Sequence, residues 1–133
     1  MSNKVYVLNG PNLNLLGLRE PEIYGSTTLD EIAGMLEERA RELSLTIDMR
    51  QTNHEGKLVD CLHEAQAEIA RAVLIIAVAY THTSIALLDA ARAIVTPVIE
   101  VHLSDPKTRE SYRHTSYIGE AAAKTFEGHG PDS

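Results

Sequence analysis

The 133-residue sequence contains one cysteine, no tryptophan and only 5% aromatic residues. A single cysteine, Cys61, excludes an internal disulfide, so we expect a protein of the reducing cytoplasm. No apolar run approaches the roughly 18 residues that a membrane span requires. The amino terminus also lacks the apolar core of a signal peptide. We therefore expect no membrane association.

Positive charge is scarce, with 12 Lys and Arg against 19 Asp and Glu and a formal net charge of −7. This balance argues against a nucleic-acid partner and against binding to anionic membrane surfaces. The phosphate-binding glycine motifs of ATP and dinucleotide sites are missing, as are the nucleophile elbow and the paired-histidine zinc motif. No lysine lies in an apolar pattern that favours Schiff-base chemistry.

Short apolar runs alternate with segments of helical periodicity, which predicts one α/β domain over residues 1–133 with a parallel sheet between helices. Thr28 and Glu31 form a capping-box pattern before the first of these helices. A weaker pattern predicts a helix or turn over 116–124 and a short edge strand near Thr125. The predicted strands cover 4–8, 45–50, 72–79 and 97–101, and the predicted helices cover 29–43, 57–70 and 83–94.

Polar residues follow three of the predicted strands, at 9–12, 80–84 and 102–105. Ligands of open parallel sheets bind beyond the carboxyl ends of the strands. If these three strands are neighbours, their polar ends converge on one pocket.

His102 follows the strand run PVIEV, and Glu100 lies two residues earlier on the same strand face. Imidazole titrates near neutral pH, so a histidine at this place suits acid–base chemistry, with Glu100 orienting the ring. Position alone leaves a capped surface histidine equally open.

His82 begins a helix among hydroxyl residues, which fits either anion binding or plain N-capping. Arg109 and Arg113 are four residues apart, a spacing that can grip a carboxylate from one helical face. A solvated basic turn explains the two arginines as well.

Arg19 and Tyr24 lie in a loop bracketed by Gly17 and Gly25. A neighbouring arginine favours the phenolate and lowers the pKa of a tyrosine below its usual value near 10. Such a tyrosinate is a base for a proton next to a carbonyl, and the glycines would serve as hinges of a lid. On spacing alone, a structured loop with a packed tyrosine is the better interpretation.

Five motifs together resemble one family. In chain order they read NGPNLNLLGLREPEIYGSTTL, NHEG, YTHTSIALLDA, PVIEVHLS and RESYRHTSY. Their order and spacing resemble type II 3-dehydroquinate dehydratase of the shikimate pathway, from about residue 4 to 118. The resemblance implies a flavodoxin-like three-layer fold whose five-stranded sheet has the order 2-1-3-4-5.

The resemblance also implies anti elimination of water from 3-dehydroquinate through an enolate, giving 3-dehydroshikimate, without metal or organic cofactor. It gives Tyr24 the role of base at C2, Arg19 that of its activator, and His102 that of the acid at the C1 hydroxyl. Asn12 would hold a water against the enolate oxygen. The implied substrate contacts are His82, Asp89, Leu103, Ser104 and Arg113. In the family, trimers assemble into dodecamers, and Asp89 would reach a neighbouring subunit's site.

The sequence departs from the family's pattern in three places. Ile76 stands where a substrate-binding asparagine is expected, within a run that also lacks the family's Pro and Gly. An unpaired substrate hydroxyl would cost roughly 1–3 kcal/mol. The stretch 121–130 is polar for a last strand, and the family's final helix is expected to be missing. Asp105, which is followed by Pro106, adds negative charge near the expected anion site.

Two other functions stay open at this point. Ile76 is compatible with a protein that binds a cyclohexane carboxylate without efficient turnover. A flavodoxin-like fold also raises FMN binding, although NGPNLNLLG is a poor phosphate loop because it lacks Ser and Thr.

Overall fold

The computed structural model describes residues 2–18, 22, 26–104 and 109–128. The strands are β1 (Lys4–Asn9), β2 (Thr46–Gln51), β3 (Ala72–Ile76), β4 (Val98–Val101) and β5 (Lys124–Phe126). The α-helices are α1 (Leu29–Glu42), α2 (Glu55–Ala67) and α3 (Ile85–Ala93). Short 3-10 helices cover Leu13–Leu15, Val78–His82, Ser111–His114 and Ile118–Glu120.

The strands form one parallel sheet in the order β2-β1-β3-β4-β5. This order confirms the flavodoxin-like fold and makes β1, β3 and β4 consecutive neighbours. The polar ends of these three strands therefore meet at one edge, as the sequence predicted.

Successive residues of β1 point to opposite sides of the sheet, and each side carries its own core. Tyr6 and Leu8 pack with Leu62 of α2 and Leu87 of α3. Val5 and Val7 face the other way, toward a cluster that includes Leu29, Ile32 and Leu36 of α1. Helices thus cover both faces, which is why the strands are nearly continuous apolar runs.

Side-chain caps fix where two helices begin. The Thr28 hydroxyl accepts from the Glu31 backbone N–H at 3.2 Å and donates to the Glu31 carboxylate at 3.1 Å, so the predicted cap is present. Ser84 accepts from the Leu87 backbone N–H at 2.9 Å and starts α3 two residues later than predicted. In the described part of the chain, none of the helices combines the length and the hydropathy needed to cross a membrane.

The third strand is shorter than the prediction of 72–79, because it ends at Ile76. Ala77 turns into helical geometry, and Val78 has a left-handed backbone with φ of 55°. The Gly10 N–H donates to the Ile76 carbonyl at 2.8 Å, and a Cβ on Gly10 would lie 2.6 Å from the Ala77 carbonyl oxygen. This close approach of the two strand ends requires glycine at position 10.

The edge strand predicted near Thr125 is present as β5 and pairs with β4. Its residues Lys124–Phe126 are all exposed, which agrees with the polar sequence of this region. Before it, the 3-10 helix Ile118–Glu120 buries Ile118 in the core between α3 and the sheet.

Replacing Ile69 by glycine is expected to raise the stability of the protein. Ile69 follows the C-terminal cap of α2 with φ of 54°, although it is β-branched, and it is 62% exposed. A left-handed conformation costs an L residue about 1–2 kcal/mol, and glycine avoids this cost. Glycine is also more flexible in the unfolded chain, which cancels about 0.5–1 kcal/mol of the gain. We expect the melting temperature to rise about 2–4 °C. Ile69→Ala, which keeps the Cβ in the strained conformation, is the control and should give no such gain.

Candidate active site

The carboxyl ends of β1, β3 and β4 border a cleft of about 380 Å³ that opens to solvent. Each strand contributes through the residues that end or follow it, so the cleft lies where parallel sheets usually bind ligands. The cleft is lined by Leu13, Ile76, Val78, His82, His102, Leu103, Ser104, Arg109 and Arg113.

His102 and Glu100 form a buried side-chain contact at the end of β4. His102 is 7% exposed and Glu100 is 1% exposed, and His102 Nε2 contacts Glu100 Oε1. Because Nε2 contacts Glu100, Nδ1 is the ring nitrogen that is available to bind a ligand. The alternation of side chains along a strand brought this pair together, as the sequence predicted.

His82 is placed in the cleft by the 3-10 helix that follows β3. Its Nδ1 lies 2.7 Å from the Thr115 carbonyl oxygen, so Nδ1 carries the proton and donates. Partial burial lowers the pKa of His82 below its usual value, and the positive charge of Arg113 acts in the same direction, whereas the Thr115 carbonyl opposes them. The lowered pKa favours the neutral imidazole, in which Nε2 is an acceptor.

Two guanidinium groups give the cleft its positive charge. Arg113 donates through Nε to Glu110 at 2.6 Å, and Arg109 donates to the Ser104 hydroxyl at 3.3 Å. Both arginines line the cleft, although Arg109 lies outside the 3-10 helix that carries Arg113 and so does not share a helical face with it. Paired guanidinium groups beside polar side chains suit a carboxylate ligand.

Part of the cleft lining is apolar. Ile76, Val78 and Leu13 line it, and Ile76 is only 9% exposed. The side chain of isoleucine cannot hydrogen-bond a hydroxylated ligand. The cleft therefore lacks a polar side chain at the position where the family pattern expects an asparagine.

Three of the described site residues that were predicted do not line the cleft, namely Glu100, Asn12 and Asp89. Glu100 meets the cleft through its contact with His102. Asn12 precedes the Leu13–Leu15 turn in a left-handed conformation with φ of 69° and is exposed. It does not belong to the described residues that line the cleft. Asp89 is exposed on α3 and likewise does not line it. Arg19, Tyr24 and Asp105 lie outside the described residues.

Leu13, Val78 and Arg109 line the cleft, although the motif resemblance gave none of them a role. Arg109 had a signal in the sequence, namely its four-residue spacing from Arg113. Leu13 and Val78 had none, because an apolar residue at a strand end is indistinguishable in sequence from a core residue.

The cleft lies at the carboxyl edge of a flavodoxin-like sheet and is lined by histidine, arginine and serine side chains. This is the place where α/β proteins of this fold bind small molecules. Residues 3–133 match the profile of the family described as Dehydroquinase class II. The chain belongs to this family, whose members are hydro-lyases.

Individual relatives agree with the family match. A 3-dehydroquinate dehydratase of Rhizobium johnstonii is 54% identical over 133 residues, which cover 100% of this chain and 91% of that protein. The crystal structure of type II dehydroquinase from Butyrivibrio crossotus matches with a TM-score of 0.95 and 35% identity, covering 97% of this chain and 90% of the other. The crystal structure of type II dehydroquinase from Propionibacterium acnes matches with a TM-score of 0.93 and 42% identity. This match covers 99% of this chain and 90% of the other.

Proposed function

We propose that the protein dehydrates 3-dehydroquinate to 3-dehydroshikimate in the shikimate pathway. The observation that carries the proposal is the buried Glu100–His102 pair at the edge of a cleft with two arginines. The substrate carries a carboxylate, which arginines can bind, and a hydroxyl that departs, which a general acid can protonate. Relatives of about 50% identity that carry the dehydratase name support the same reaction.

In the proposed mechanism, Tyr24 is the base and removes a proton from C2, with Arg19 favouring its phenolate. The electron pair forms an enolate with the neighbouring carbonyl, and Asn12 holds a water against the enolate oxygen. The enolate then collapses to form the C1–C2 double bond. The C1–O bond breaks, and the hydroxyl leaves as water with the proton that His102 donates.

The substrate would lie with its carboxylate against the arginine side of the cleft. Arg113, His82, Ser104 and the backbone at Leu103 would bind its polar groups. Asp89 would complete the site of a neighbouring subunit in a homododecamer built from trimers. The exposure of Asp89 on α3 supports this role, because the side chain is available to another chain. We propose a cytoplasmic enzyme without metal or organic cofactor.

The decisive experiment is the ultraviolet assay for 3-dehydroshikimate, whose conjugated enone absorbs where the substrate does not. We expect steady turnover that sodium borohydride does not abolish, because no Schiff base is formed. Inactivation by borohydride in the presence of substrate would overturn the elimination mechanism, and no turnover would overturn the proposed activity.

The apolar wall at Ile76 favours one other function, the binding of a cyclohexane carboxylate without efficient turnover. Substrate binding measured by calorimetry, together with turnover near the uncatalysed rate, would identify that function. FMN binding is excluded if the purified protein is colourless and takes up no added FMN.

Replacing Ile76 by asparagine is expected to raise kcat/KM for dehydration about 5- to 150-fold, because the amide can pair a substrate hydroxyl that now faces an apolar side chain. Steady-state kinetics with 3-dehydroquinate measure the change. Ile76→Leu keeps an apolar side chain of equal size and should not show the gain. An asparagine variant no better than the leucine variant would contradict the role given to this position.

A further inference from the structure

The carboxylate of Glu100 is held at both oxygens. Oε1 contacts His102 Nε2, and Oε2 lies 2.8 Å from the Ser116 hydroxyl oxygen. A carboxylate that is 1% exposed needs such partners, because burying it without them is costly. Ser116 is not among the residues that line the cleft, but it borders an adjoining pocket together with Glu100, His102 and Arg113. Its hydroxyl connects to the site by the hydrogen bond to Glu100.

The direction of the hydrogen bonds in this group is fixed. The Gly119 backbone N–H donates to Ser116 Oγ at 3.0 Å and uses one of the two lone pairs of the hydroxyl. The single hydroxyl proton of Ser116 is then available to Glu100 Oε2, which as a carboxylate can only accept. A chain of donors therefore runs from Gly119 through Ser116 to Glu100.

Gly119 is packed against both other members of the chain. A Cβ at this position would lie 2.7 Å from Glu100 Oε2 and 2.8 Å from Ser116 Oγ. The described glycines with a positive φ are Gly17 and Gly128, so the constraint at position 119 is one of space and not of backbone conformation. A larger residue here would have to displace the Glu100 carboxylate and the Ser116 hydroxyl from the positions in which they are hydrogen-bonded.

The segment that carries Ser116 is itself anchored to the polar end of β3. The Thr115 carbonyl accepts from His82, and the Tyr117 N–H donates to the Thr81 carbonyl at 2.8 Å. Ile118 is fully buried. Ser116 is therefore held in place by contacts on both sides.

We propose that Ser116 is a positioning residue for the dehydration: its hydroxyl, oriented by the Gly119 backbone, holds Glu100 in the rotamer that orients the His102 ring. A ring held in one orientation presents Nδ1 to the leaving group without reorganisation. The kinetic consequence rests on the proposed function, whereas the effect on the Glu100–His102 contact does not.

The kinetic test compares Ser116→Ala with Ser116→Thr, which keeps a hydroxyl. We expect Ser116→Ala to lower kcat about 10-fold or more, because one hydrogen bond to a charged group is lost. The KM of this variant should stay within about twofold of the parent value. Ser116→Thr should recover most of kcat. Ser111→Ala removes an exposed hydroxyl five residues earlier and is the matched control. An unchanged kcat in Ser116→Ala, or a change in KM alone, would overturn the proposal.

A second readout needs no turnover. Proton NMR of the full-length protein records the imidazole N–H that His102 shares with Glu100, assigned by its loss in His102→Asn. We expect this resonance to shift or broaden by exchange in Ser116→Ala and to persist in Ser116→Thr and Ser111→Ala. A resonance unchanged in Ser116→Ala would refute the positioning role. A shifted resonance in a protein without dehydratase turnover would support it while refuting the proposed reaction.

Discussion

Replacing His102 by asparagine is expected to lower kcat for the dehydration of 3-dehydroquinate about 10²- to 10⁴-fold, the usual contribution of a positioned acid or base. The amide of asparagine reaches the place of Nδ1 and cannot give a proton to the departing hydroxyl. The contact that Nε2 makes with Glu100 is lost, and Glu100 keeps its hydrogen bond from Ser116. Because the missing group acts in the transition state, the loss should appear in kcat more than in KM. The enone absorbance of the product measures both constants.

The control for this variant is His63→Asn, because His63 is exposed on α2 and lies outside the cleft lining. It should leave kcat within about twofold of the parent, the range typical of a neutral surface substitution. Calorimetry with the product should show that the His102 variant still binds ligand. A His102→Asn enzyme within tenfold of the parent would mean that another group protonates the leaving hydroxyl.

Local sequence patterns predicted most of the secondary structure, because the apolar positions repeat with the periods of helix and strand. The capping pattern at Thr28 and Glu31 correctly located the start of α1. The order of the strands in the sheet cannot be obtained from local patterns. Which strands are neighbours depends on contacts between distant segments, and it came from the resemblance to the family and not from periodicity.

The end of β3 shows what local patterns miss. The sequence stays apolar through Ala79, so hydrophobicity gives no reason for the strand to stop at Ile76. The stop is set by the approach of Gly10 from β1 and by the left-handed backbone of Val78. Nothing in the residue type predicts that conformation, because a β-branched residue disfavours it.

The site was predictable where a short-range rule applied. Glu100 and His102 share a strand face because they are two residues apart. Ser116 lies 16 residues beyond Glu100. Its contact with the carboxylate depends on how the chain returns after β4, which no spacing rule describes. The spacing of Arg109 and Arg113 suggested a shared role, but only the structure shows that both line the cleft.

Replacing Tyr24 by phenylalanine is expected to lower kcat about 10²- to 10⁴-fold, because the proposed base is lost while the aromatic ring is kept. Tyr6→Phe is the matched control, since the Tyr6 hydroxyl bonds Glu68 at 3.1 Å near the opposite end of the sheet. Its loss should reduce stability by about 1 kcal/mol and leave kcat unchanged. Near-normal turnover in Tyr24→Phe would refute the assignment of the base.

Arg19→Ala separates the base from the group that activates it. A tyrosine with a pKa near 10 is only about 0.1% ionised at pH 7, so a base without its arginine should be slow at neutral pH. Raising the pH restores the phenolate, and kcat of Arg19→Ala should therefore climb toward that of the parent between about pH 7 and 10. Tyr24→Phe has no phenol to ionise and should stay low throughout. Parallel pH profiles for the two variants would mean that Arg19 binds substrate and does not activate Tyr24.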